Sequence, residues 1–295
     1  MGFMAGDHLR FAVLGPGGVG GLLGALLSRS GDSVVVLHDS TPREIHVESR
    51  SFGDFTAEVA TASKLSEPVD AVLVTVKATQ LEEAMRRVPA AALDAAAVIP
   101  FLNGIEHVER LRDAYGANVV AATIAVESTK VHSGLIRHTS PFTIIQMTGA
   151  EAVAERLRIA GPDVKMRDDE LAMLWDKFAI LAPMALLTTH ERATVGVMRE
   201  RRRDDLVALI DEYATVAAGA DGVTIDRAAV LARVDSMQSA METSMQRDQA
   251  AGRQLEIDAL GGALLRRGVK ANIATPVTKR LVEEIQAREV ASKSA

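Results

Sequence analysis

Residues 9–39 read LRFAVLGPGGVGGLLGALLSRSGDSVVVLHD. An apolar run enters a glycine turn, a helical pattern follows and is closed by Gly31, and a second apolar run ends in an acid. This order constrains the fold more than any other feature of the chain. Gly15, Gly17 and Gly20 form G-x-G-x-x-G directly after the first strand, with Gly18 in the same turn. In such a turn the first glycine permits a tight bend, the second lets backbone amides approach a pyrophosphate, and the third lets helix and strand pack closely. The helix start adds free N–H groups and the positive end of a dipole. With both strands and the acid in place, the motif predicts a dinucleotide-binding unit.

The acid is Asp39. A carboxylate there accepts hydrogen bonds from an adenosine ribose and repels a 2′-phosphate, which favours NAD. Ser40, Thr41 and Arg43 follow at once and could hold a phosphate if Asp39 turned away. The non-functional alternative for this stretch is a capped turn leading into a helix, with Pro42 at an early helical position.

Further apolar runs, VDAVLVTVKA and AAAVIPFLNG, are separated by the amphipathic TQLEEAMRRV. Val/Ile-rich strands between helices predict a parallel sheet covered on both faces, an α/β Rossmann-type arrangement. Positions 119–147, rich in Thr, Val and Ile, read as more strands at the edge of that domain. After Gly161-Pro162 the chain turns to Ala, Leu, Met and charged residues at helical spacing, so an all-α domain is expected from 166 to 295 after a dinucleotide-binding domain over 1–165.

The length of 295 residues suits two cores. A net charge of −6 and 3% aromatic content argue against nucleic acid and anionic membrane as partners. There is no cysteine, which excludes disulfides and thiolate chemistry and suits a reducing cytoplasm. No secretory pattern opens the chain, Gly6 stands where a myristoylation motif needs Ser or Thr, and the run from Phe178 to Leu187 is too short to span a bilayer. A cytoplasmic protein is expected. The seven histidines show no metal-ligand spacing, and His190 reads as a loop residue.

Two charges sit on apolar helical stripes. Lys177 in LAMLWDKFAILAPMALLT shares a face with Met173, Ile180, Leu181 and Met184. Its plain explanation is snorkelling, its functional one a proton donor with a pKa lowered by burial. Glu256 shares a helical face with Gly252, Ala259, Leu260 and Ala263, unless it merely pairs with Arg253 one turn back.

The segments VLGPGGVG, LVTVKATQ, FLNGIEH, LWDKFAI, SMQRD and LEIDALGGALLRRG, spread over nearly the whole chain, resemble the ketopantoate reductases (2-dehydropantoate 2-reductases). The resemblance implies a nicotinamide coenzyme, NADP(H) by family habit and NAD(H) by Asp39, and reduction of a 2-oxo acid to a 2-hydroxy acid as in pantothenate biosynthesis. It makes Lys177 the general acid, facing the gap between two domains, and makes Glu256 its companion in fixing substrate and cofactor. Ser244 then contacts substrate, and Lys77 and Asn103 line the cofactor cleft, Asn103 also reaching substrate. Leu181 and Ala185 stand where the family carries asparagines, Val195 replaces another, and His38-Asp39 replaces an arginine. Leu181 is therefore expected to meet a more apolar substrate. A non-catalytic NAD(P)H sensor is the alternative, and a homodimer is allowed.

Overall fold

The computed structural model describes residues 8–294, so Gly2 and Gly6 lie outside it. The chain divides into two compact units, residues 1–102 with 107–173, and residues 103–106 with 174–295.

In the first unit β1 (Arg10–Leu14) leads through the glycine turn into α1 (Gly18–Arg29) and on to β2 (Ser33–Leu37). After the strands β3 (Glu44–Ser49), β4 (Phe55–Glu58) and β5 (Ala60–Ala62), the chain returns through β6 (Ala71–Val74), α2 (Leu81–Met85) and β7 (Ala97–Pro100). The parallel sheet runs β5-β2-β1-β6-β7. Every side chain of β6 and all of β1 beyond Arg10 are buried, as the unbroken apolar runs require.

The stretch after Asp39 departs from the helix that Pro42 suggested. Ile45, Val47 and Ser49 of β3 point inward while Glu44 and His46 point out, a two-residue period that belongs to a strand. After α3 (His107–Tyr115), β8 (Ala122–Ala125), β9 (Ser128–His132), β10 (Leu135–His138) and β11 (Ile144–Met147) follow, then α4 (Glu151–Ala160) and β12 (Asp163–Met166). They complete two small sheets, β4-β3-β10-β9 and β12-β11-β8. The first of these packs on α1, which explains why Gly20 through Leu27 are all buried: the helix is roofed by strands, with Ile136 of β10 against Gly21. A buried pair, Asp32 with Arg156, ties the α1–β2 turn to α4 at 2.8 Å.

The expected boundary at 165 falls within β12, which pairs with β11 and belongs to the first unit. The division itself lies inside α5 (Glu170–Glu191).

The second unit is helical: most of α5, then α6 (Val195–Arg201), α7 (Arg203–Asp221), α8 (Arg227–Asp235), α9 (Ser244–Ala250), α10 (Ala263–Lys270) and α11 (Pro276–Ser294). By length and composition α5 is apolar enough to cross a bilayer, yet 67% of its apolar stretch is buried in the protein. Its residues Trp175 and Phe178 stack edge-on in series with Tyr213 of α7, and Trp175 Nε1 donates to Asp221. Its apolarity is thus spent on a core. His190 is the penultimate residue of α5 rather than a loop residue, buried with Nε2 2.6 Å from Glu284.

Candidate active site

The glycine turn divides its tasks among its residues. Gly15 has φ +108°, and a Cβ there would lie 2.8 Å from the Val76 nitrogen. Gly20 would put a Cβ 2.2 Å from the Gly15 carbonyl and 2.3 Å from Thr75 Oγ1, while at Gly18 it would meet the Ser128 carbonyl at 2.1 Å. These three positions are closed to any side chain. Gly17 differs: nothing lies within 4 Å of its Cβ position, and its φ of −80° suits any residue. A glycine needed by neither backbone nor packing marks space kept open for something else, here beside the first turn of α1, whose N–H groups have no helical acceptor. The donor set and the opening fit a pyrophosphate.

Thr75, which the sequence reading passed over, locks this turn. Its Oγ1 donates to the carbonyls of Leu14 (3.1 Å) and Gly15 (2.7 Å). Two residues on, half-buried Lys77 precedes the short 3₁₀ turn Ala78–Gln80.

Asp39 lies two residues beyond β2, with 61% of its side chain exposed. It is not a lone carboxylate. Arg87 grips it with a fork, Nη2 to Oδ2 at 2.7 Å and Nη1 to Oδ1 at 3.2 Å, holding the carboxyl below the usual carboxylate range. Neighbouring His38 accepts the Ser40 N–H at Nδ1 and is pushed down, first by burial and then by Lys130 and Arg87.

In the second unit Lys177, Asn103 and Glu256 come together. Lys177 Nζ donates to Asn103 Oδ1 at 3.3 Å, and Asn103 Nδ2 donates to Glu256 Oε2 at 3.2 Å. Burial pushes the Lys177 ammonium down to about 8, against the pull of the Glu256 carboxylate in the other direction. Asn103 is placed by its own short loop. Gly104 adopts φ +87° with its α-carbon facing the Ala259 carbonyl, and Glu106 accepts from Arg266 at 2.7 Å. Asn103 thus belongs to the same unit as Lys177 and Glu256.

Glu256 is not on a helical face with Gly252, because residues 252–256 are irregular and helix starts at 257. The Glu256 carbonyl accepts the Leu260 N–H at the entrance of a π-helical turn, Asp258–Gly262, that runs into α10. Nor does Glu256 pair with Arg253, whose Nε binds Asp248 at 2.8 Å. Glu256 is buried, at 4% exposure, as are Leu255, Ile257 and Leu260 in the same segment. Such π turns, one extra residue per turn, recur at functional sites.

Ser244 is exposed at the first position of α9, whose cap is Thr243, and does not enter the Lys177–Asn103–Glu256 chain. Leu181, one turn after Lys177, is half-buried, whereas Ala185 and Val195 are buried.

Comparison with known proteins gives a consistent result. The chain matches the family profile Ketopantoate reductase PanE/ApbA over residues 11–147 and Ketopantoate reductase PanE/ApbA C terminal over residues 169–289. It is 30% identical to the 2-dehydropantoate 2-reductase of Mycobacterium tuberculosis, over 92% of this chain and 95% of that one. A PanE/ApbA family ketopantoate reductase from Ralstonia eutropha superposes with a TM-score of 0.87 at 25% identity, over 96% and 99% of the two chains. D-mandelate dehydrogenase, solved with NADH and anilino(oxo)acetate, shares the fold at a TM-score of 0.87 and 20% identity, over 96% and 99%.

Proposed function

The chain is a nicotinamide-dependent oxidoreductase of the ketopantoate reductase family, and on that premise we propose that it reduces a 2-oxo acid to a 2-hydroxy acid with Lys177 as the general acid. The observation that carries this is the half-buried Lys177, whose ammonium desolvation pushes down to about 8 and which is linked through Asn103 to Glu256. A general acid works best when its pKa lies near the working pH. Snorkelling would leave the amine in water with no such depression.

The glycine turn, with its opening at Gly17 and the first turn of α1, would hold the coenzyme pyrophosphate, and Lys77 would serve the rest of the coenzyme. When bound, the reduced nicotinamide supplies hydride to the carbonyl carbon. As negative charge grows on the carbonyl oxygen, Lys177 Nζ gives it a proton and becomes a neutral amine, to be reprotonated from solvent. Asn103 Oδ1 fixes the direction of the ammonium, and Glu256 keeps it charged until the transfer. Ser244 offers its hydroxyl to the substrate carboxylate.

Leu181, one helical turn after Lys177 and half-buried, offers hydrocarbon where the family carries an asparagine, as Ala185 and Val195 do further on, which favours a 2-oxo acid with a bulkier apolar chain over ketopantoate. An apolar wall discriminates weakly, whereas amides that bond a substrate hydroxyl discriminate strongly. The absence of cysteine suits action in the reducing cytoplasm.

The test is a panel of 2-oxo acids with NADH and NADPH, followed at 340 nm. Turnover of branched or aromatic 2-oxo acids supports the proposal. Tight coenzyme binding with no turnover of any would replace it with a coenzyme sensor.

A further inference from the structure

Arg87 lies 48 residues from Asp39 in sequence, so no local motif joins them. The structure does. One arm of the guanidinium, Nη1, donates to the Ser63 carbonyl at 2.8 Å, just past β5, the strand that pairs with β2. Arg87 is therefore moored to main chain independently of Asp39. The carboxylate that fills its fork is exposed and belongs to a loop. A second cation, Lys130 of β9, borders a small crevice with Pro16, Gly21, Thr41 and Ser133 beside the glycine turn. Ser133 Oγ donates to the Ser40 carbonyl at 3.2 Å, binding the β9–β10 hairpin to the loop that carries Asp39. Burial first, and then Lys130 and Arg87, hold down the protonation of His38, next to Asp39.

The end of β2 is where a dinucleotide seated on such a turn presents its adenosine ribose. A lone carboxylate there would repel a 2′-phosphate. This one is already neutralised by a fork whose geometry matches a phosphate as well as a carboxylate.

We propose that Arg87 is the coenzyme-selecting residue of this chain: Asp39 occupies its fork in the absence of coenzyme, and the 2′-phosphate of NADPH takes that place. Arg87 keeps its hold on the Ser63 carbonyl throughout, Asp39 swings toward solvent, and Lys130 adds a second positive charge nearby. The site then accepts NADPH although an acid stands at the end of β2. This rests on the nicotinamide coenzyme reading above and names the group that selects between its two forms.

The experiment measures binding without turnover, by calorimetry with adenosine 2′,5′-bisphosphate and 5′-AMP on the whole chain. The wild-type chain should bind the bisphosphate more tightly. Arg87→Gln should weaken it about 10- to 100-fold, the worth of charge-assisted bonds, and change AMP by no more than about threefold. Arg87→Lys, which keeps the charge but loses the fork, should fall between, and Asp39→Asn should leave the bisphosphate bound as tightly or more so. Should Arg87→Gln not fold, Arg87→Lys and a steeper salt dependence for the bisphosphate than for AMP carry the same test. Equal binding of the two fragments, or equal weakening of both by Arg87→Gln, would overturn the proposal while leaving the coenzyme reading intact. Failure of the wild-type chain to bind NADH or NADPH would overturn both.

Discussion

Replacing Lys177 with Met separates catalysis from stability. The ammonium is held in the fold at about 8 rather than 10.5, because burial disfavours its charge. At roughly 1.4 kcal/mol for each tenfold change in the protonation equilibrium, the folded state carries a cost of about 3 kcal/mol wherever both folded and unfolded chains are protonated. Met keeps the stem without the charge, and losing the bond to Asn103 Oδ1 takes back about 1 kcal/mol. Lys177→Met should therefore be about 2 kcal/mol more stable than wild type at pH 7. The sign follows from linkage. Below about 8 the cost is full; between about 8 and 10.5 the folded chain sheds its proton while the unfolded chain keeps it, so the cost fades as pH rises. Near pH 10 less than about 1 kcal/mol of the cost remains, and the advantage of Met disappears. Urea unfolding of both proteins at pH 7 and pH 10, with turnover on the best 2-oxo acid, supplies the comparison. Turnover should fall by about two to four orders of magnitude. A variant no more stable than wild type at pH 7, or an advantage that does not change with pH, would refute the burial argument. Retained turnover would return Lys177 to a snorkelling role.

For the wild-type chain, the rate of reduction should fall as pH rises past about 8, because the proton to be donated is lost there. Glu256→Gln should move that limb to lower pH, since the carboxylate pulls the ammonium upward; an unmoved limb would dissociate Glu256 from Lys177. Gly17→Ala should melt like wild type yet lose coenzyme affinity, whereas Gly20→Ala should be destabilised outright, its methyl meeting the Gly15 carbonyl and Thr75. Calorimetry and thermal melts compare the two, and normal coenzyme binding by Gly17→Ala would remove the pyrophosphate from that opening. Leu181→Asn should raise activity on ketopantoate relative to apolar 2-oxo acids, while Ala185→Asn buries an amide and should cost about 1 to 3 kcal/mol unless it finds a partner. Efficient ketopantoate reduction by the unmodified chain would sink the apolar-wall argument.

What could be read in advance was what a residue's own neighbours in sequence determine. The glycine turn was legible because strand, bend and helix start are consecutive, although the groups that close Gly15, Gly18 and Gly20 to side chains include Val76, Ser128 and Thr75 from far along the chain. Lys177 was legible as a charge on an apolar helical stripe, since α5 is continuous and the three-and-four spacing holds along it. The β3–β4 hairpin was not, because Pro42 and the polar residues after Asp39 mimic a helix start, while only three inward positions, Ile45, Val47 and Ser49, carry the strand period. Glu256 was found for a partly mistaken reason. Its helical spacing was read through an irregular segment, but the oddity itself, a buried carboxylate in an apolar segment, was real. Lys177 and Glu256 were expected to go together, as opposite charges misplaced in the same way; what escaped was Asn103 between them and Arg87 on Asp39. Asn103 sits 74 residues from Lys177 and 153 from Glu256, and Arg87 is 48 residues from the acid it grips. Chemistry in such a chain depends on these long-range pairs, because a buried charge must be compensated by whatever the fold brings near, and local pattern has no means of naming it. A charge out of place in sequence is thus a pointer to a site, and its partner is the part that tertiary structure has to supply.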